Sequence, residues 1–225
     1  ACTGQTAKAI EDQNKALRLE AFTPRLYAEQ SWFLWADDRL DEAEALLARS
    51  RELWPRYYWS WFNLFWILAF TGRAPAAIAM KQDIASRPAG IPADDFDLIE
   101  QAARTLDTRN AADIAKTREL YLAAARRGDG YATNAFLVFA ALGLVDDSYP
   151  LLRGVLLKEG NLVGAGHFSE EQGQASYQYM MQTDKLFLPP MASVRADPRF
   201  AKLLVDTGLS AYWRETGVVP DFQRP

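Results

Sequence analysis

The chain has 225 residues, of which 25 are Lys or Arg and 29 Asp or Glu, giving a net charge of −4; 49% of it is apolar. This is the composition of a folded protein with a full core, and it offers no basic footprint for nucleic acid, so direct DNA or RNA binding is not expected. One Cys and one His exclude internal disulfides and Cys/His zinc clusters, and leave Cys2 with His167 as the sole thiol–imidazole combination.

The chain opens Ala1-Cys2-Thr3-Gly4. A cysteine at this position reads either as an ordinary residue leading into a helix, the reading adopted here, or as a lipid-modified mature terminus. Three segments then align without gaps: Gly4–Ile10, Asp38–Glu44 and Gly72–Ile78, each 34 residues after the last. That period belongs to tetratricopeptide arrays, in which each unit is a pair of antiparallel helices. Gly4, Asp38 and Gly72 fall in the turn within a pair, where unusual backbone angles are needed. Ala9, Ala43 and Ala77 fall where the two helices cross and only a small side chain fits. Pro24, Pro55 and Pro88 mark the boundaries between units.

Local signals support this frame. Thr23 is expected to cap a helix starting at Pro24, Asp41 with Glu44 to form a capping box, and Pro75 to occupy a first turn. Two further, degenerate units are expected over 93–127, with Ala112 at the crossing and Gly128 as a stop, and over 131–158, turning at Gly143. The first unit lacks its first helix, as in a fragment of a longer repeat protein. Residues 1–158 therefore read as four to five helix-pair repeats. Residues 159–225 read as a Gly-rich loop, a helix over 175–182 and capping helices, with Asp197-Pro198 starting a helix that stops near Gly208. The fold class expected is an all-α, tetratricopeptide-like solenoid with a C-terminal helical cap. The uncharged runs Tyr57–Gly72 and Gly130–Val145, 16 residues each, are shorter than the ~20 needed to span a bilayer and read as buried helices.

The repeats, together with Asp197-Pro198-Arg199-Phe200, Gly208-Leu209, Tyr212-Trp213-Arg214 and Pro220-Asp221-Phe222, resemble the C-terminal tetratricopeptide region of bacterial winged-helix (CadC-type) transcriptional regulators and class III nucleotide cyclases. The resemblance covers nearly the whole chain. It implies a non-enzymatic sensory or protein-interaction region that binds a protein or peptide partner, or a small ligand, in its concave groove and signals to an N-terminal DNA-binding domain, in the cytoplasm or, behind a membrane helix, in the periplasm. The alternatives are the regulatory region of a cyclase and a free-standing lipoprotein scaffold anchored at Cys2. No cofactor and no metal are expected.

Six of the seven Trp residues lie between Trp32 and Trp66. In the tetratricopeptide frame the first helix of each unit lines the concave surface, which places Arg25, Ala28, Trp32 and Trp35 there from one unit and Trp59, Phe62, Trp66 and Phe70 from the next. Such a strip can hold a protein or peptide partner by apolar burial. The same rings would also serve as packing between helices or as a homodimer interface. On the groove reading, replacing Trp32, Trp59 and Trp66 abolishes partner binding and leaves the array folded. The acidic pairs Asp37-Asp38, Asp94-Asp95 and Asp146-Asp147 suit helix starts better than a metal site. Glu170-Glu171 and His167 have no partner identifiable by spacing.

Overall fold

A computed structural model describes residues 1–164 and 182–223. Among them every regular element is helical and none is a strand, so the protein is all-α. It divides into two compact units, one of Gln5–Asp107 and one of Cys2–Gly4 with the chain from Thr108 onward.

The first unit contains α1 (Thr6–Leu19), α2 (Pro24–Ala36), α3 (Leu40–Leu53), α4 (Tyr58–Phe70), α5 (Ala74–Gln82) and α6 (Ala93–Thr108). Helix α1 packs on α2, α2 on α3, both α2 and α3 on α4, and α4 on α5. The turns α2–α3 and α4–α5 each pivot on one left-handed residue, Asp38 (φ +60°) and Gly72 (φ +76°), and Gly4, ahead of α1, takes φ +75°. Five residues after those two turns, Ala43 and Ala77 are completely buried, as close approach of two helices requires.

The left-handed positions continue beyond the aligned segments, at Arg109 (φ +50°) and Gly143 (φ +79°), themselves 34 residues apart. Arg109 follows Gly72 by 37 residues, chiefly because α6 is longer (16 residues) than α4 (13 residues). That shift corrects the expected crossing residue: Ala112 is exposed, and the position five residues after Arg109 is the half-buried Ile114. Its counterpart after Gly143 is Ser148, completely buried.

Two expected caps do not form. The Glu44 carboxylate is taken by Arg73, whose Nη1 donates to it at 2.9 Å, and α3 has no side-chain cap. Thr23 Oγ1 donates to the Glu20 carboxylate at 3.3 Å instead of accepting from the first turn of α2. Helix α3 starts one residue ahead of Asp41, which therefore stands inside the first turn and not at the cap.

The turn geometry makes a clean prediction. A Cβ at Gly72 would meet nothing within 4 Å, so Gly72→Ala probes backbone strain alone. It should cost about 1 kcal/mol in urea unfolding, the left-handed penalty less the entropy that Ala removes from the unfolded chain. Gly72→Asn should cost less, because Asn tolerates this region.

In the second unit α7 (Ala111–Ala125), α8 (Asp129–Leu142) and α9 (Val145–Leu157) form a layer with α8 in the middle. Asn110 caps α7, its Oδ1 accepting from the Asp113 amide at 2.8 Å. Ala135, Phe136, Val138 and Phe139 of α8 are completely buried, so the second uncharged run is a core helix. No helix among the described residues is long and apolar enough to cross a membrane.

After a 3-10 helix, Gln182–Phe187, come α10 (Ala192–Ala196), α11 (Arg199–Asp206) and α12 (Leu209–Thr216). Just ahead of α11, the Asp197 carboxylate accepts from the Arg199 amide at 2.9 Å. The Arg199 guanidinium pairs with Asp197 and with Asp146 of α9, each at 2.8 Å, and lies 4.5 Å from the centre of the Tyr149 ring. The hydrogen bonds from Arg199 hold the Asp197 carboxyl down at about 2. Burial, then the charge of Asp197, pushes the Tyr149 phenol up to about 12. The Asp-Pro-Arg-Phe segment thus fastens the tail to α9. His167, Glu170 and Glu171 lie outside the described residues, as does the helix expected over 175–182 except for Gln182.

Candidate functional site: an aromatic row on α2 and α4

Helix α4 reads Tyr-Trp-Ser-Trp-Phe-Asn-Leu-Phe-Trp-Ile-Leu-Ala-Phe. Apolar residues on nearly every face make a helix that must be covered on most sides. Trp59, Phe62, Trp66 and Phe70 recur at three- and four-residue steps and so share one face. On α2 the same steps align Arg25, Ala28, Trp32 and Trp35.

The structure brings four of these rings into one continuous contact. Trp32 lies 5.2 Å from Trp35, Trp35 stacks on Phe70 at 5.9 Å, and Phe70 stacks on Trp66 at 5.3 Å. Trp66 then meets Phe65 edge-on at 5.4 Å, which continues through Trp61 to Phe62. Phe62 stacks on Phe96 of α6 at 6.2 Å, with Arg87 over the far side of the cluster, 5.0 Å from the Phe96 centroid.

Burial sorts the predicted residues into two groups. Trp32, Trp35 and Trp66 are only 6%, 3% and 3% exposed and form the floor. Trp59, Phe62 and Phe70 are half-buried, while Arg25 is exposed and pairs with Glu29 at 3.1 Å. Replacing Trp32 or Trp66 would therefore remove core, and a test of binding must use Trp59, Phe62 and Phe70.

Behind the rings runs a polar layer that sequence reasoning did not single out. Asn63 Nδ2 donates to the Ala28 carbonyl at 2.8 Å and to Ser31 Oγ at 3.1 Å, tying α4 to α2. Ser50 and Ser60 hydroxyls meet at 2.7 Å between α3 and α4. These contacts fix the rotation of α4 and hence which rings reach the surface. Phe96 and Trp61 were also missed: Phe96 stands outside the Trp-rich window, and Trp61 faces away from the predicted strip.

Chemically the row can bury apolar or planar groups and accept a cation over a ring face. It carries no acid–base pair. Among the described residues no group of His, Cys, Asp or Glu is arranged to hold a metal ion. Cys2 is exposed, yet loss of solvation about its sulfur, and then the charge of Asp184, push the thiol up, toward the unreactive protonated form. Comparison with protein-family models, with curated proteins and with solved structures finds no match to this chain.

Proposed function

We propose that the chain is a tetratricopeptide-like array of helix pairs that works by binding a protein or peptide segment across the α2–α4 aromatic row. The observation that carries this reading is the row's half-open edge: Phe70 stacks on the buried Trp35 and Trp66, and Trp59 and Phe62, on the same helix face, are likewise only half-buried. Rigid aromatic side chains on a fixed floor are the usual anchors of protein interfaces. Supporting the array are the left-handed turn residues at 34-residue steps and the sealed Ala43 and Ala77. Taken with the family resemblance, the chain is the sensory or interaction region of a bacterial transcriptional regulator. Its output domain would respond to occupancy of the row.

A random linear peptide library displayed on phage tests the reading without knowledge of the natural partner. Selected peptides are expected to bind the full chain and to lose about 1–2 kcal/mol for each of Trp59→Ala and Phe62→Ala, with the unfolding midpoint nearly unchanged for Trp59→Ala. Failure to enrich any peptide, or peptides that bind both variants as well as the wild type, would overturn it.

A further inference from the structure

Residues Cys2–Gly4 belong to the second unit, where they lie against the end of the chain. Their three consecutive carbonyls each accept a hydrogen bond from a different part of the tail. Thr183 Oγ1 donates to Cys2 O at 2.7 Å, Trp213 Nε1 to Thr3 O at 2.8 Å, and the Asp221 amide to Gly4 O at 2.8 Å. Below them Phe222 stacks on Phe187 at 5.3 Å and contacts Trp213 at 6.1 Å. At Gly4 the fit is tight: a Cβ would stand 2.7 Å from Pro220 Cβ and 3.4 Å from the Phe187 ring, and the backbone is left-handed at φ +75°.

Donors directed at successive main-chain carbonyls, over an aromatic floor, are how a groove holds an extended peptide: the backbone supplies affinity and the shape of one subsite supplies selectivity. The three donors meet main-chain carbonyls, and the third position is restricted to glycine. We propose that the tail of this protein forms a peptide groove, filled in cis by Cys2–Gly4, and that it takes an extended segment with glycine at the third position when that strap is displaced. A strap joined to its groove competes at high effective concentration, so the groove is closed to a free peptide until the strap is weakened. This inference is independent of the α2–α4 row.

The test uses the full chain carrying Gly4→Val, which the subsite cannot hold, and the peptide Ala-Ser-Thr-Gly-Gln, with Ser in place of Cys2 to avoid oxidation. The peptide is expected to bind the variant at least about tenfold more tightly than the wild type. A second peptide with Val in place of Gly is expected not to bind. Equal binding to both proteins, or binding to neither, overturns the proposal. If Gly4→Val fails to fold, Thr183→Val with Trp213→Phe removes two of the three donors and keeps the floor. In that chain hydrogen exchange at the Asp221 amide should accelerate about tenfold or more, as the strap spends more time away; unchanged exchange overturns the proposal.

Discussion

Trp61→Ala is expected to destabilise the first unit by about 3–5 kcal/mol, a large part of the 5–15 kcal/mol that holds a domain together. Trp61 is completely buried. Its ring stacks on Phe65 at 5.6 Å and meets Phe62 and Phe96 edge-on at 5.2 and 5.5 Å. Removing it leaves a cavity at the point where α4 and α6 share rings, and aromatic neighbours cannot collapse far to fill it. Among the described residues the indole N–H has no hydrogen-bond partner, which costs roughly 1–3 kcal/mol in the native protein. Trp61→Phe discards that unpaired donor along with part of the ring, so the two effects oppose one another and the net loss should fall below about 2 kcal/mol. Urea unfolding of the two variants, followed by far-ultraviolet circular dichroism, measures both. A Trp61→Ala protein as stable as the wild type would remove the aromatic cluster from the core.

The second large effect is expected at Asn63, which is 1% exposed and spends both amide hydrogens on α2. Asn63→Asp keeps the shape and replaces a donor by an acceptor facing the Ala28 carbonyl. A carboxylate so buried should have its pKa raised by about 3 units, worth ~4 kcal/mol of stability at neutral pH. The sign follows from linkage. With a folded-state pKa above the unfolded value, near 3.9, the penalty is absent below pH ~4 and grows as pH rises through the interval up to the folded-state pKa. The variant should therefore be far less stable than the wild type at neutral pH and recover most of the difference in acid. Equal loss at both extremes would mean that the lost hydrogen bonds, and not a buried charge, dominate.

Periodicity told a good deal about this molecule where the determining contacts are local. Gly4, Asp38, Gly72 and Gly143 were all placed in turns by spacing and residue type, and all four are left-handed. Pro24 and Pro75 stand in the first turns of α2 and α5. The two uncharged runs became buried helices because Ser60, Asn63 and Thr133 could be satisfied inside, Thr133 by donating to the Asp129 carbonyl at 2.8 Å.

What spacing could not supply was competition from distant residues. Arg73, 29 positions beyond Glu44, holds its carboxylate, and α3 starts at Leu40, so the expected Asp41–Glu44 box has no cap residue to close on. The extra length of α6 put the residue five after the next left-handed turn at Ile114, not at the expected Ala112. Helical steps identified the face bearing Trp59, Phe62, Trp66 and Phe70, but which rings are sealed depends on Phe96 and on the rotation set by Asn63. The strap of Cys2–Gly4 has no sequence signature at all, because its partners lie some 180 to 217 residues away.

The most direct measurement of the central claim is a titration of a library-selected peptide onto the full chain, observed through the indole N–H resonances of its tryptophans. If the α2–α4 row is the binding surface, the Trp59 resonance shifts most, Trp66 and Trp35 shift through their stacking on the half-open Phe70, and Trp213 stays in place. A peptide that shifts Trp213 alone, or leaves the Trp59 resonance unmoved at saturation, would contradict the claim.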